Sequence, residues 1–293
     1  MKLHRLLAFF SLTFIFLGTL AACNRRIVDV PEDSILPVET QREEKVLSFD
    51  NRRFSYYGES EDISAEEDII TIRRKGAYRL TGRLTEGRIR ISCRGEVRLI
   101  LDNFSGSSSY GPLIEADRGV SLTVETAKDS INTLSSADYK GDGIFPSSCI
   151  LAWEALFCGE GSATVRSKGD AAITCLSSAS FEGGRFSLSG RKYGLWTRDA
   201  FSMNGGRLTV TDADYGICAS DGENAIGRIE ISGGELTAIC KEGVLFAGRS
   251  IEVIGGSTTY DCKKFYICVR TENGKTLSGK INVTAVGFPQ GNK

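Results

Sequence analysis

The chain has 293 residues, 41% of them hydrophobic, and this length is sufficient to bury one sizeable core. Its 36 Lys and Arg residues nearly balance 37 Asp and Glu residues, and no long basic run occurs, which argues against a nucleic-acid partner. The one histidine is His4, so the chain beyond it cannot supply Ser-His-Asp or Cys-His catalysis or a His-ligated metal site.

The N-terminus has the pattern of an export signal. Lys2 and Arg5 precede an apolar run over 6–17, and the sequence Leu-Ala-Ala-Cys follows at 20–23. This arrangement resembles the lipobox of bacterial lipoproteins, in which the cysteine is acylated and becomes the mature N-terminus. We therefore expect lipidation at Cys23, although an ordinary cleavable signal with an incidental cysteine remains the alternative.

The predicted organisation has four parts. Residues 1–22 form the lipoprotein signal peptide, and charged, proline-containing residues 23–68 form a largely irregular tether. Residues 69–285 form the folded domain and 286–293 a short tail. Lipidation predicts anchoring in the cell envelope. Because Asn24 is not the Asp that retains some lipoproteins at the inner membrane, the outer membrane or cell surface is favoured.

Four Gly-Gly pairs divide the folded part into repeats. They occur at 183–184, 205–206, 233–234 and 255–256, with spacings of 22, 28 and 22 residues. Short strands with alternating apolar residues lie between the pairs. A period of about 22 residues with three short strands per rung predicts an all-β fold, a single right-handed parallel β-helix.

Alignment of the rungs on the glycine pairs assigns three columns of inward side chains. The assigned inward residues are Ile150, Ile173, Leu195, Ile217, Val244 and Ile267 in the first strand; Cys158, Phe181, Met203, Ile231 and Val253 in the second; and Ala163, Phe186, Leu208, Leu236 and Thr258 in the third. Two insertions interrupt the repeat, one between 132 and 148 and one around 220–224. Solenoid insertions commonly form binding loops on one side.

Eight cysteines follow Cys23. The alignment places Cys158, Cys175, Cys240 and Cys262 at inward positions, where we expect stacked free thiols. A disulfide framework remains the alternative in an exported protein. The absence of any CxxC spacing argues against metal binding by these residues.

Two outward surfaces are candidates for binding. In the third strand, outward hydroxyl residues including Thr209 are flanked by Arg185 and Arg207. This sheet is either a solvated face with good β propensity or a surface for an extended polar polymer.

The second candidate surface is apolar. The outward column of the first strand is assigned as Leu151, Thr174, Trp196, Cys218, Leu245 and Cys268. Tyr193 and Tyr215 precede this strand with a spacing of 22 residues, so with Trp196 they form an aromatic patch suited to the C–H face of a pyranose ring. Alternatively, the tether or a loop covers the column, or the aromatic rings only rigidify the turns.

Acidic residues collect near the turns. Asp142 and Asp170 are the candidates to ligate a hard cation such as calcium, and solvated turn carboxylates are the alternative.

Several stretches together resemble a known family. They are the segments 76–82, 99–103, 131–135 and 142–144 and the Gly-Gly-x-Leu-Thr-Val rungs. They are similar to bacterial right-handed parallel β-helix proteins described as carbohydrate-binding domain-containing proteins, of a calcium-containing clostridial type that binds cellulose and pectic polymers. The resemblance covers about 69–285. It implies extracytoplasmic polysaccharide binding with calcium held in the turns.

The chain departs from that family where calcium would bind. Tyr193, Tyr215 and Glu242 stand where the family tends to have Asp before Gly, while Asp142 keeps the pattern and Asp170 keeps it one residue out of step. We therefore expect no required cofactor, with calcium possible only at the last two.

These observations predict a non-catalytic lipoprotein that is anchored in the cell envelope and binds a polysaccharide. The glycan is cellulose-like, pectin-like or another envelope or host glycan. One alternative is a structural or adhesive protein that docks another protein through its apolar column. Another is a polysaccharide lyase or hydrolase, for which Asp212 and Asp214 are the closest carboxylate pair.

Overall fold

A computed structural model describes residues 44–140, 144–221, 226–262, 265–270 and 276–278. Within this part of the chain the fold is nearly all β, with a 3-10 turn at Ser60–Asp62. No helix among these residues is long and apolar enough to cross a membrane.

The strands, numbered in chain order, are β1 (Lys45–Asn51), β2 (Arg53–Tyr57), β3 (Ile63–Glu66), β4 (Ile69–Ile72), β5 (Gly76–Leu84), β6 (Arg88–Ile91), β7 (Gly95–Ser108), β8 (Ile114–Ala116), β9 (Val120–Thr126), β10 (Ile131–Ser136), β11 (Ser148–Gly159), β12 (Ser162–Ser167), β13 (Ala171–Phe181), β14 (Arg185–Ser189), β15 (Tyr193–Thr197), β16 (Ala200–Met203), β17 (Arg207–Ala219), β18 (Arg228–Ile231), β19 (Glu235–Ala247), β20 (Ser250–Val253), β21 (Ser257–Cys262), β22 (Phe265–Arg270) and β23 (Thr276–Ser278).

These strands build a parallel β-solenoid of about eight turns, as predicted. Three columns of parallel pairs run along it. The first column joins β13, β15 and β17, the second joins β13, β16 and β18, and the third joins β12, β14 and β17. Long strands such as β17 contribute to two columns because they bend at a corner of the coil.

The Gly-Gly pairs form the turns between the second and third columns. The second position of each pair has a backbone conformation that requires glycine. Gly206 has φ of 74°, a region that L side chains rarely adopt. A Cβ atom at Gly206 would lie 2.7 Å from the backbone of Gly183 in the preceding rung. The pairs therefore allow neighbouring turns to stack closely, which fixes the period read from the sequence.

The interior is a continuous apolar core. Aromatic side chains of successive rungs pack on one another: Phe157 stacks on Phe181 with ring centroids 4.6 Å apart, and Phe186 meets Phe181 edge-on at 5.4 Å. All three are buried, as are the inward residues assigned to the third column from Ala163 to Leu236. Coils stacked at the usual strand spacing thus bury one core along the solenoid.

Two inward assignments are wrong by one residue. In the second column, Phe157 pairs with Phe181 and is buried, whereas Cys158 is half-buried. A bulge is the cause, because the register shifts between Ala152 and Glu154, where β13 contains one residue more than β11.

The second error lies in the first column. Ile217 pairs with Leu245, so Val244 is not its partner, although both residues of β19 are buried. Two irregularities in the β17–β19 pairing, around Asp212 and Asp214, cancel each other, so the 28-residue offset between Arg207 and Glu235 continues to Ile217 and Leu245. Consequently Phe246, and not Leu245, occupies the position next to Cys218 in the outward column.

Regular structure also begins earlier than predicted. The antiparallel hairpin β1–β2 and strand β3 lie within residues 23–68, which were assigned to the irregular tether, and β3 pairs antiparallel with β4, the first strand of the predicted domain; the strands therefore begin at Lys45 and not at Ile69. β1 pairs in parallel with β5, and its Leu47 and Phe49 are buried. The hairpins cover the first rung, whose edge would otherwise be unpaired.

A buried carboxylate fastens this N-terminal cap. Asp62 is 1% exposed, and its Oδ2 lies 2.7 Å from Nζ of Lys45 and accepts a hydrogen bond of 2.8 Å from the Tyr56 hydroxyl. Arg74 approaches its Oδ1 at 3.9 Å. Desolvation alone would raise the pKa of Asp62, but the hydrogen bonds from Lys45 and Tyr56 outweigh it and lower the pKa. The carboxylate is therefore ionised at neutral pH.

The cysteines behave mainly as core residues. Cys149, Cys175 and Cys240 are buried free thiols, and burial raises the pKa of each to about 12. Cys240 and Cys262 face each other on adjacent rungs, as predicted. The thiols of Cys149, Cys175 and Cys240 therefore stay protonated at neutral pH and are poor nucleophiles.

Candidate functional site

The three aromatic residues selected from the sequence come together on adjacent rungs. Tyr193 pairs with Tyr215 in the first column, and their rings stack with centroids 5.8 Å apart and planes inclined by 27°. Trp196 pairs with Cys218. Trp196 and Cys218 belong with Ala171 to a small apolar cluster that is separate from the main core.

A third rung extends the aromatic surface. Phe246 packs against Tyr215 with centroids 6.2 Å apart and planes inclined by 60°. The sequence alignment missed Phe246 because it matched Gly216 with Gly243. In the structure Gly243 pairs with Tyr215, so the alignment is displaced by one residue. The signal that would have revealed Phe246 is the 28-residue spacing of the flanking third-column strands.

A loop covers one end of the apolar column. Phe145 packs on Trp196 with ring centroids 6.2 Å apart, and the Thr174 hydroxyl donates a hydrogen bond of 3.1 Å to the Pro146 carbonyl. Trp196 is consequently only 8% exposed and Thr174 is fully buried. The expectation that Trp196 presents an open face is therefore wrong, and one alternative considered for this column, coverage by a loop, holds at Trp196.

The uncovered part of the column is concave. A pocket of about 350 Å³, called here the aromatic pocket, lies against it. Its lining residues are Ile144, Pro146, Tyr193, Trp196, Tyr215, Cys218, Ser220, Asp221 and Phe246. Both insertions recognised in the sequence contribute to it, since Ile144 and Pro146 belong to the first and Ser220 and Asp221 to the second. Insertions on one side of this solenoid thus build one concavity.

Several charged side chains near the aromatic pocket form ion pairs. Asp170, beside the start of β15, lies 2.8 Å from Nη2 of Arg191 and 3.2 Å from Nζ of Lys192. Lys241 lies 3.4 Å from Asp214. Burial is the main cause that raises the pKa of Tyr193, and nearby thiol, tyrosine and carboxylate groups raise it further. Tyr193 therefore stays neutral at physiological pH.

Arg185, Arg207 and Thr209 lie on a different surface. They belong to the third column, where Arg185 pairs with Arg207 and Thr209 faces outward beside Ser187. None of the three lines the aromatic pocket. Arg207 is also engaged by Glu235 of the next rung at 2.7 Å. The six residues predicted to bind carbohydrate therefore divide into two separate surfaces.

The described residues do not fit a calcium site. Asp170 already has two cationic partners, and although desolvation raises the pKa of its carboxyl group, Arg191 and Lys192 outweigh this and lower it. Asp199, at the corner before β16, accepts hydrogen bonds from Arg198 and Ser177.

No group of three or more His, Cys, Asp or Glu side chains that could hold a metal occurs in the part of the chain that the structure describes. Two predicted sites, Asp142 and Cys23, lie outside the described residues.

Comparisons with known proteins agree with this architecture. A solved structure described as the polysaccharide lyase-like protein from C. thermocellum, a gadolinium derivative, matches with a TM-score of 0.62 and 19% sequence identity, over 77% of this chain and 97% of that one. A search of curated protein sequences gives no match. The family model for carbohydrate-binding domain-containing proteins matches residues 66–286, more than half of the chain. The chain therefore belongs to the family of carbohydrate-binding domain-containing proteins.

Proposed function

We propose that this protein binds a polysaccharide at the aromatic pocket without cleaving it. The observation that carries the proposal is the convergence of Tyr193, Tyr215 and Phe246 from three successive rungs beside a concavity of about 350 Å³. Ligand pockets of this size are typically apolar with a few polar groups, and here Ser220 and Asp221 supply them. Family membership supports a carbohydrate as the ligand.

The pocket suits a chain end or a single projecting sugar better than a long flat polymer face. Trp196 is covered by Phe145, and the Tyr193 and Tyr215 rings cover part of each other by stacking. The hydroxyl-bearing third column remains the second candidate surface, since Thr164, Ser187 and Thr209 stand in register there.

A binding role fits this pocket better than hydrolysis does. Hydrolases use two carboxyl groups on opposite sides of the scissile bond. Among the described residues that line the pocket, Asp221 supplies the one carboxylate. Asp214, from the closest pair found in the sequence, is engaged by Lys241. The proposed role needs no cofactor.

The test is retention of the protein on a panel of immobilised polysaccharides, including cellulose and pectin, with parallel assays for released reducing or unsaturated sugars. Retention without sugar release supports the proposal. Sugar release that grows with time would instead identify an enzyme. Retention of another envelope protein with no glycan bound would identify an adhesive role.

We also propose that the solenoid is held at the cell envelope, through acylation of Cys23. The lipobox-like sequence at 20–23 supports this. The stretch from 24 to 43 would then serve as the tether, shorter than the sequence suggested, since β1 begins at Lys45. Mass spectrometry of the N-terminal peptide from membrane fractions tests the proposal: a diacylglyceryl cysteine is expected, and an unmodified or cleaved N-terminus contradicts it.

A further inference from the structure

Three exposed cations occupy the corner at which the coil passes from the first column to the second. Each is followed by a glycine at the start of a second-column strand, β5, β7 or β9. The dipeptides are Lys75-Gly76, Arg94-Gly95 and Arg118-Gly119. The same pair of residue types thus recurs on three successive rungs, at a place that the aromatic pocket does not use.

The side chains of this corner overlap along the solenoid axis. A Cβ atom at Gly95 would lie 3.7 Å from Cδ of Lys75, and one at Gly119 would lie 3.7 Å from Cγ of Arg94. Each aliphatic stem therefore passes over the glycine of the next rung, while its charged end stays in solvent. The cations form a row because glycine leaves room for them.

Arg118 extends the row to an aromatic ring on the fourth rung. Its Cζ lies 4.5 Å from the centre of the Trp153 ring. A guanidinium stacked on a ring keeps its N–H groups available for an anion, because they point outward in its plane. Arg198 lies 5.5 Å from the same ring but donates two hydrogen bonds to Asp199, so the row ends there. The basic corner is defined here as Lys75, Arg94, Arg118 and Trp153.

The positive charges of the basic corner lack ion-pair partners. Lys75, Arg94 and Arg118 form no ion pair within the described part of the chain. Asp117, the acid among these corner residues, is engaged by Arg90 at 3.0 Å. The cations near the aromatic pocket, in contrast, pair with carboxylates. The basic corner therefore presents positive charge to an external anion.

The chain enters the solenoid at this same corner. β1 runs parallel to β5 and begins with Lys45 opposite Tyr78. Nζ of Lys45 lies 3.8 Å from the position of a Cβ atom at Gly76, directly after Lys75. An acyl anchor at Cys23 would therefore be joined to the solenoid at one end of the basic corner.

We propose that the basic corner docks on the anionic headgroups of a phospholipid membrane. A corner of the coil is a convex edge, which meets a flat layer of headgroups along its length but offers no cleft to a single sugar. Each lysine or arginine near an anionic bilayer adds to the attraction. The inference rests on the proposed location at the envelope and is independent of the aromatic pocket, whose rings of Tyr193, Tyr215 and Phe246 belong to later rungs.

Vesicle binding by an unacylated chain tests the inference. A chain of residues 23–293 with Cys23→Ser keeps every described residue and removes the acylation site. We expect vesicles with about 30% phosphatidylglycerol in phosphatidylcholine to bind it about tenfold more tightly than phosphatidylcholine alone, and raised salt to reduce the difference. Equal binding to both vesicles, or binding to neither by a chain with normal thermal unfolding, overturns the inference.

Two matched variants locate the contact. Arg94→Gln/Arg118→Gln is expected to lose most of the preference for anionic vesicles. Arg166→Gln/Lys168→Gln removes the same charge from exposed positions in β12 and just after it, and is expected to keep the preference. Equal loss in both variants would show an effect of net charge alone and overturn the inference.

Trp153 reports the contact by its fluorescence. The chain has two tryptophans, so Trp196→Phe leaves Trp153 as the one emitter. A nitroxide on the lipid headgroup is expected to quench it on anionic vesicles, and to quench it much less in the Arg94→Gln/Arg118→Gln background. Bound protein with unquenched Trp153 would place a different surface on the membrane and overturn the inference.

The remaining outcomes separate this inference from the proposed envelope location. A diacylglyceryl group on Cys23 of the native chain, together with no vesicle binding by the unacylated chain, leaves the location standing and overturns the docking. Retention on polygalacturonate that Arg94→Gln/Arg118→Gln loses, without vesicle binding, would assign the basic corner to an acidic polysaccharide and also overturn the docking.

Discussion

Tyr193 and Tyr215 stack on each other across adjacent rungs, with centroids 5.8 Å apart, because the parallel register of β15 and β17 places them opposite each other. Two tyrosines that are 22 residues apart in the sequence thus lie side by side and form one wall of the aromatic pocket. The regularity of the solenoid and the shape of the proposed site therefore have the same origin, and both can be tested by substitution.

Gly206→Ala tests the role of the Gly-Gly turns. Gly206 has φ of 74°, and an added Cβ would lie 2.7 Å from backbone atoms of the rung before it, which cannot move aside. We expect a loss of roughly 1–3 kcal/mol in the free energy of unfolding, measured by urea denaturation. Ser202→Ala, on the outer surface of β16, is the control, and an equally small loss in both variants would contradict this role for the turn.

Asp62→Asn tests the N-terminal cap. The substitution removes the charge that engages Lys45 and weakens the hydrogen bond from Tyr56, so we expect a loss of about 1.5–3 kcal/mol at neutral pH. Because the pKa of Asp62 is lowered on folding, its stabilisation is present above the ordinary carboxyl pKa and disappears as the pH falls through the folded pKa.

The difference in free energy of unfolding between the parent protein and Asp62→Asn should therefore decrease at acid pH. Glu66→Gln, an exposed position of β3, is the control and should match the parent protein. A constant difference from pH 7 to pH 3 would show that the charge of Asp62 does not carry the effect.

The thiols provide a third test. Half-buried Cys93 and Cys158 are expected to react with a thiol reagent before Cys149 and Cys175, whose pKa burial raises to about 12. In denaturant, all eight cysteines after Cys23 should react without reductant. Reaction that requires reductant would establish disulfides and contradict the free-thiol interpretation.

The raised thiol pKa values also predict alkaline sensitivity. Between the ordinary thiol pKa of 9.0 and about 12, unfolded Cys149 and Cys175 lose protons that the folded protein retains. The free energy of unfolding should therefore fall as the pH rises through this range. In a Cys149→Ala/Cys175→Ala variant the decline should be shallower, and an unchanged slope would assign it to other groups.

Calcium is expected to add little stability. Asp170 is occupied by Arg191 and Lys192, so millimolar calcium should leave the thermal midpoint within about 1–2 °C of its value in chelator. A rise of several degrees that is lost in Asp142→Asn or Asp170→Asn would contradict this expectation and restore the metal sites that the resemblance implies.

The repeat was accessible to sequence reasoning because glycine pairs and alternating apolar residues are local signals. They predicted the three-strand rungs, the buried third column and the approach of Tyr193 to Tyr215. Bulges were not accessible, because one extra residue in β13 leaves the apolar pattern almost unchanged, and this is why Cys158 was placed inward. Phe246 was missed because Gly216 was aligned with Gly243, although the 28-residue spacing of the third column continues into the first column.

Contacts between segments that are distant in the sequence also could not be predicted from local patterns. Nothing around Phe145 indicates that it packs on Trp196, 51 positions later, and this contact depends on how the first insertion folds back on the coil. The cap was missed for a related reason. β1 forms a strand along the edge of β5, more than thirty residues later in the chain, and β2 in turn pairs with β1.

Comparison of the two candidate surfaces tests the central claim most directly. Polysaccharide retention is measured for the parent chain, for Tyr215→Ala in the aromatic pocket, and for Arg207→Gln/Thr209→Ala on the third column. We predict that Tyr215→Ala weakens binding by about three- to tenfold, while the third-column variant binds like the parent. Normal binding by Tyr215→Ala together with loss in the third-column variant would contradict the account and move the glycan site to the hydroxyl-bearing face.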